Sequence, residues 1–193
     1  MDSSVIDLCV QVFPWAKFHA TKEAVKLHVL LDHDGLLPHY AVITDGKQAD
    51  VKVAKTMRFP AGAMLILDRG YNDYEWFRSL KMQRVHFVTR LKENASFVVV
   101  ESRRISDSSC VRADEIIVFT KQAAADGDRF LRRVVWWDEQ NQREFVCLTN
   151  HLDLAAATVA AIYKARWQVE LFFKSIKPNL ARSRLSSVLR LTP

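Results

Sequence analysis

The side chains best placed to do chemistry together are Tyr163, Arg166, Glu170 and Lys177, within the stretch YKARWQVELFFKSIK. Apolar residues recur there at helical spacing, which predicts an α-helix. On a wheel of about 100° per residue, Arg166, Glu170 and Lys177 fall at about −60°, −20° and −40° from Tyr163. A phenol, two cations and a carboxylate therefore share about 60° of arc. Ile162, Ala165, Val169, Phe172, Phe173 and Ile176 fill the neighbouring sector and read as a buried stripe. The pattern is that of a helix presenting chemistry at the edge of a core. A plainer reading stands beside it: Arg166 and Glu170 are i,i+4 neighbours, a common surface pair contributing about 0.2–0.5 kcal/mol.

Further carboxylates lie upstream. Ala63–Leu67 is a short continuous apolar run, the sign of a strand buried on both faces, and it delivers Asp68, followed by Arg69, Gly70 and Tyr71. A carboxylate at the C-terminal end of such a strand sits where open α/β sheets place their ligands. The alternative is a cap for a helix beginning at Asp73 or Tyr74. Asp2 lies in MDSSVIDLC, where position alone suggests a solvated turn residue, with Asp7 as its local competitor.

The elements that must position these groups follow from periodicity and turn signals. Residues 10–21 form a loop rich in aromatics and cations (Phe13, Trp15, Lys17, Phe18, His19), which either stacks on nucleic acid or packs the loop down. Val25–Leu31 and Leu37–Thr44 predict a hairpin turning at Asp34-Gly35, with His28 a packed strand residue. Gln48–Met57 and Tyr74–Met82 read as helices and Val85–Arg90 as a strand. From Asn94 to Leu152, the runs VVVESRR, EIIVFT, FLRRVVWW and REFVCLT predict an antiparallel β region turning at Asp126-Gly127 and Glu139–Asn141. Within it Arg132 and Arg133 precede Trp136 and Trp137, a pairing that either holds an unstacked base or fills a core. Asn150 reads as part of an N-cap, and Leu154–Lys177 as one long helix ended by Pro178.

Composition sets the bounds. The 193 residues, 49% hydrophobic and 26% charged, are ordinary for a globular protein with a real core. A net charge of +6 permits a polyanionic partner. Cys9, Cys110 and Cys147 lack metal-site spacing and suggest a reducing compartment. No run reaches the roughly 18–20 apolar residues of a membrane span, and no signal peptide is evident, so the sequence reads as cytosolic.

The spacing Tyr-x2-Arg-x3-Glu-x6-Lys over Tyr163–Lys177 resembles the signature helix of the DDE transposases of the insertion-sequence-four family. Asp68-Arg-Gly-Tyr resembles the family's D-x-G-Y motif, and Asp2 matches its first catalytic aspartate, expected at the end of the first strand. The resemblance implies an α/β fold: an RNase H-like catalytic core with a β-rich insertion between the second Asp and the catalytic Glu. On that basis residues 1–93 are the first part of the core, 94–152 the insertion, 153–180 the signature helix and 181–193 a basic tail. It further implies Asp2, Asp68 and Glu170 as catalytic, metal-binding carboxylates for two Mg²⁺ or Mn²⁺ ions, with Tyr163, Arg166 and Lys177 binding DNA. The expected partners are transposon terminal inverted repeats and target DNA, with a homodimer on paired ends, in the bacterial cytoplasm at the nucleoid. The implied activity is DNA strand cleavage and strand transfer. The rival readings are an inactive DNA-binding remnant and another RNase H-like nuclease. The start at Met1, directly before Asp2, and the unfamiliar ending ARSRLSSVLRLTP suggest truncation at both ends, which puts activity in doubt.

Overall fold

The computed structural model describes residues 1–8, 17–19, 22–32, 37–45, 47–105, 110–120 and 130–182, with backbone only for residues 2–25 and 177–182 of that set. In chain order these form strands β1 (Asp2–Leu8), β2 (Lys17–His19), β3 (Lys22–Leu31) and β4 (Pro38–Asp45), helix α1 (Asp50–Thr56) and strand β5 (Met64–Ile66). A 3-10 turn (Arg69–Tyr71), helix α2 (Tyr74–Met82) and strands β6 (His86–Arg90), β7 (Phe97–Ser102), β8 (Val111–Phe119), β9 (Leu131–Asp138) and β10 (Arg143–Thr149) follow. Helices α3 (Ala156–Lys164) and α4 (Trp167–Arg182) complete the set. The chain divides into two compact units, residues 1–50 with 167–193, and residues 51–166. Among the described residues no helix is long and apolar enough to cross a membrane.

The first unit is built around β3, which pairs antiparallel with β1, β2 and β4. The β3–β4 hairpin matches the expected one, although its Asp34-Gly35 turn lies outside the described residues. On α4, Val169 and Phe173 are buried against Val29, and Phe172 and Ile176 pack around them with Leu27 and Leu31. The predicted apolar stripe of this helix is therefore its core face. His28 is fully buried, its Nε2 2.9 Å from the Thr44 hydroxyl and its Nδ1 3.4 Å from Asp50. Burial lowers its pKa against the opposing pull of Asp50, and it is a packed strand residue, as expected. Asp2 is the first residue of β1, opposite Val29, and the strand runs on to Leu8.

The second unit carries a six-stranded sheet in the order β5-β6-β10-β9-β8-β7, parallel only between β5 and β6. Its strands are rich in β-branched and aromatic residues, and helices lie on both faces of the sheet at β6. Phe87 of β6 stacks on Phe77 of α2, centroids 4.1 Å apart, whereas its neighbour Val88 packs with Val159, Ala160 and Tyr163 of α3. Successive strand residues point to opposite faces, so α2 and α3 lie on opposite sides. The expected β region thus continues the sheet begun by β5 and β6, since β10 pairs directly with β6. β5 stands at the end of the described order, with Leu65 buried and Met64 and Ile66 only half-buried, so burial on both faces is not realised there.

Local signals explain the joints. Asp73 accepts a hydrogen bond from the Trp76 amide at 2.8 Å and caps α2. The helix ends in a Schellman motif: Val85 N–H donates to Leu80 O and Arg84 N–H to Lys81 O, with Arg84 left-handed at φ 57°. Gly62, at φ 85°, makes the turn into β5 and is glycine for that conformation alone, because a Cβ there meets nothing within 4 Å. Asn150 is not a cap. Its side chain accepts from Phe87 N–H and donates to Val85 O, stitching β10 to β6, and α3 starts after Ala155. The expected single helix Leu154–Lys177 is interrupted at Ala165–Arg166, where Arg166 N–H turns back to Tyr163 O, and α4 continues through Pro178 to Arg182.

Candidate active site

Asp68 follows β5 at the end of the parallel β5–β6 pair. Leu67 N–H donates to Val88 O, carrying the pairing one residue beyond β5, and Asp68 then turns the chain with φ −70° and ψ 159°. Tyr71 N–H donates to the Asp68 carbonyl at 3.0 Å, closing the 3-10 turn. The Asp68 carboxylate makes no capping hydrogen bond; Asp73 does that work for α2. Of the two readings of Asp68, the structure removes the cap.

The backbone of Asp68 is held from below. The Thr89 hydroxyl, fully buried on β6, lies 3.3 Å from Asp68 O and 3.1 Å from Asn72 Oδ1, with one proton to share between them. Asn72 in turn donates to Arg90 O at 2.7 Å, and Lys92 donates to Asn72 O at 3.2 Å. Tyr71 is almost wholly buried against Trp76, so the Tyr of Asp-x-Gly-Tyr anchors this turn in the core. Asp68, Arg69, Gly70, Lys92, Glu93 and Asn94 line an open cleft of about 610 Å³. Half-buried carboxylate oxygen facing a cleft suits a hard divalent cation such as Mg²⁺.

Tyr163 and Arg166 come to the same neighbourhood of the second unit. Tyr163 is buried on α3, and its pKa is pushed up to about 12, first by burial, with Arg166 pulling it down and Asp68 pushing it up. The phenol therefore stays protonated and offers an O–H donor. The Arg166 guanidinium lies 6.0 Å from the Tyr163 ring centroid. Glu170 belongs to the first unit, half-buried on α4 beside the buried Val169. Asp2 and Lys177 are placed by backbone alone, in β1 and α4, and their side chains lie outside the described ones. Among the described residues no three His, Cys, Asp or Glu side chains cluster.

Matched as a whole, the chain fits the transposase DDE domain family over residues 1–190. The chain belongs to that family. Its mixed α/β architecture is accordingly an RNase H-like core. It is 34% identical over 169 residues to y4zB of Sinorhizobium fredii, named as a candidate transposase, covering 86% of this chain and 48% of that one. It is 33% identical over 184 residues to the probable transposase for insertion sequence element IS5377 of Geobacillus stearothermophilus, covering 93% of this chain and 48% of the relative. An IS4SA element transposase candidate of Synechocystis is 24% identical over 195 residues, 96% of this chain and 52% of its own. The chain thus spans about half the length of the curated relatives it matches.

Sequence reading missed Thr89, Asn72 and Arg90. The available signal was their place: Asn72 just past the Asp-x-Gly-Tyr turn, and two polar residues ending the strand parallel to the one that delivers Asp68. It also left open the role of Arg132, Arg133 and Trp136. Trp136 is buried and stacked on Phe145, centroids 4.9 Å apart. Arg132 grips Asp114 through two hydrogen bonds of 2.7 Å and also donates to the carbonyls of Leu152 and Leu154, while Arg133 holds Glu115 at 2.6 Å. These arginines latch the sheet and the approach to α3. The Phe13–His19 loop through Ala16, the Asp126-Gly127 turn and the tail beyond Arg182 lie outside the described residues.

Proposed function

We propose that this transposase DDE domain cleaves DNA strands at transposon ends and joins the freed 3′-hydroxyl to a target phosphodiester, with Asp2, Asp68 and Glu170 holding two Mg²⁺ or Mn²⁺ ions. The observation that carries this reading is Asp68: a carboxylate at the end of a parallel strand, not drawn into helix capping, facing an open cleft, with Tyr163, which also feels Arg166, in its electrostatic field. Divalent ions bound there supply activation of the attacking oxygen and stabilisation of the leaving one. The chain's own side chains do the rest. Asp68 is fixed in place through Thr89 and Asn72, and Arg166 and Lys177 neutralise backbone phosphate. Tyr163 keeps its proton and donates a hydrogen bond to a phosphate oxygen. The expected setting is the bacterial cytoplasm at the nucleoid, on paired inverted-repeat ends held by a homodimer.

The test is nicking of inverted-repeat DNA in Mg²⁺ or Mn²⁺ by the full chain. Asp68→Ala and Glu170→Ala are each expected to lower the rate at least about 10³-fold, the scale lost with essential electrostatic groups. Wild-type protein that binds the DNA but never nicks it, matching both variants, identifies a DNA-binding remnant instead. Nicking that survives Asp68→Ala sinks the assignment of the metal ligands.

A further inference from the structure

We infer that Arg90 is a third phosphate-contacting cation of this site, holding the DNA backbone together with Arg166 across the Tyr163 ring. The inference rests on the transposase reading and adds a residue to it. Arg90 ends β6, immediately after Thr89, whose hydroxyl touches the Asp68 carbonyl. Strand alternation turns Arg90 to the same side as Val88, the side covered by α3 and Tyr163. There its guanidinium lies 4.9 Å from the Phe145 centroid, and Phe145 lies 6.3 Å from the Tyr163 ring, which has Arg166 at 6.0 Å. Cation and aromatic alternate along this row: Arg90, Phe145, Tyr163, Arg166.

Four other arginines of this unit, Arg69, Arg103, Arg132 and Arg133, are each within ion-pair distance of a carboxylate. Arg90 is instead seated on an aromatic face, which orients a guanidinium without neutralising it. A half-buried guanidinium so held, at the strand end next to Asp68, presents a planar fork that matches two phosphate oxygens. The Phe145 ring is itself fixed by its stack on Trp136 and by burial. The site therefore recognises a phosphodiester by two guanidinium groups and one phenolic O–H.

The experiment measures binding of a fluorescein-labelled DNA duplex by anisotropy across a salt series, with thermal unfolding of every variant as a folding check. Arg90→Gln is expected to make the slope of log K against log salt shallower by about one unit, the share of one lost phosphate contact. Arg90→Lys is expected to restore the slope but not the full affinity, because an ammonium keeps the charge and loses the fork. Arg143→Gln, which removes an exposed guanidinium 4.4 Å from the same Phe145 ring, is expected to leave the slope unchanged. An Arg90→Gln protein that folds and keeps the wild-type slope overturns the inference. If Arg166→Gln then still flattens the slope, the transposase reading of Tyr163 and Arg166 stands without Arg90. Wild-type protein that shows no salt-dependent binding overturns both.

Discussion

Arg132 precedes two tryptophans by only a few residues, a juxtaposition that in sequence suits a nucleic-acid contact, yet it is buried with Asp114. The difference is decided by partners. A guanidinium removed from water must be matched by a carboxylate and by carbonyls, and Arg132 has both. Removing one partner leaves an uncompensated buried charge, so Asp114→Ala is expected to cost about 3–5 kcal/mol. Pairing Asp114→Leu with Arg132→Met is expected to recover most of that, because well-packed apolar residues replace a buried pair at little cost. Urea denaturation of the single and double variants checks this; a single-variant loss below about 1 kcal/mol contradicts the buried-pair argument. Arg90 shows a different case, a guanidinium oriented by the Phe145 ring that forms no ion pair among the described residues.

At the scale of elements, α2 shows how local signals and tertiary contacts combine. Its expected span, Tyr74–Met82, is the observed one, because Asp73 caps it and the left-handed Arg84 stops it. The Asp73 carboxyl is pushed up by burial, but its hydrogen bonds to the Lys55 ammonium and the Trp76 amide outweigh that and leave its pKa lowered. A lowered carboxyl stabilises the fold above the unfolded-state value of about 3.9 and loses that contribution as pH falls through the folded value. Asp73→Ala is therefore expected to cost about 1 kcal/mol at neutral pH. The gap to wild type narrows in acid, below about pH 4. Thermal unfolding of both proteins between neutral pH and acid measures it, and a gap that stays constant into acid counts against the charged cap. The signature stretch teaches a different lesson. Its apolar period is continuous, and Val169, Phe172, Phe173 and Ile176 pack as the wheel requires. The break at Ala165–Arg166 has no proline or glycine to announce it, so Tyr163 and Arg166 go with α3 and the turn, and Glu170 and Lys177 with α4.

For the molecule as a whole, the two units have cores of different kinds, one a sheet around β3 under α4, the other a sheet with helices on both faces at β6. The second core encloses two acidic groups that burial keeps neutral: the Cys147 thiol and the Tyr163 phenol, both raised to about 12. Raised values mean that their contribution is intact below the unfolded-state values, about 8.5 for Cys and 10 for Tyr, and drains away as pH rises through the folded ones. The urea midpoint is expected to fall steadily above about pH 9. Cys147→Ala lowers the midpoint at neutral pH through the cavity it leaves, but flattens its decline over the first pH unit of that range. An unchanged pH slope in that variant refutes the thiol's part.

The order and kind of the elements from β3 to β10 were legible in the sequence, because alternation at period 2, recurrence at 3.6 and turn residues are local consequences of backbone geometry, whereas β1, β2 and the break between α3 and α4 were not. The family was legible as well, because the motif around Asp68 and the spacing from Tyr163 to Lys177 are linear patterns. Only the tertiary structure decided which charged residues are neutralised inside, that the β region extends the sheet of β5 and β6, and that Asn150 bridges strands while Asp68 caps nothing. Each of these depends on what a side chain meets across many intervening residues: Asp114 for Arg132, β6 for β10, Phe145 for Arg90. Burial, pairing and hydrogen-bond satisfaction are properties of those meetings, and no periodicity encodes them.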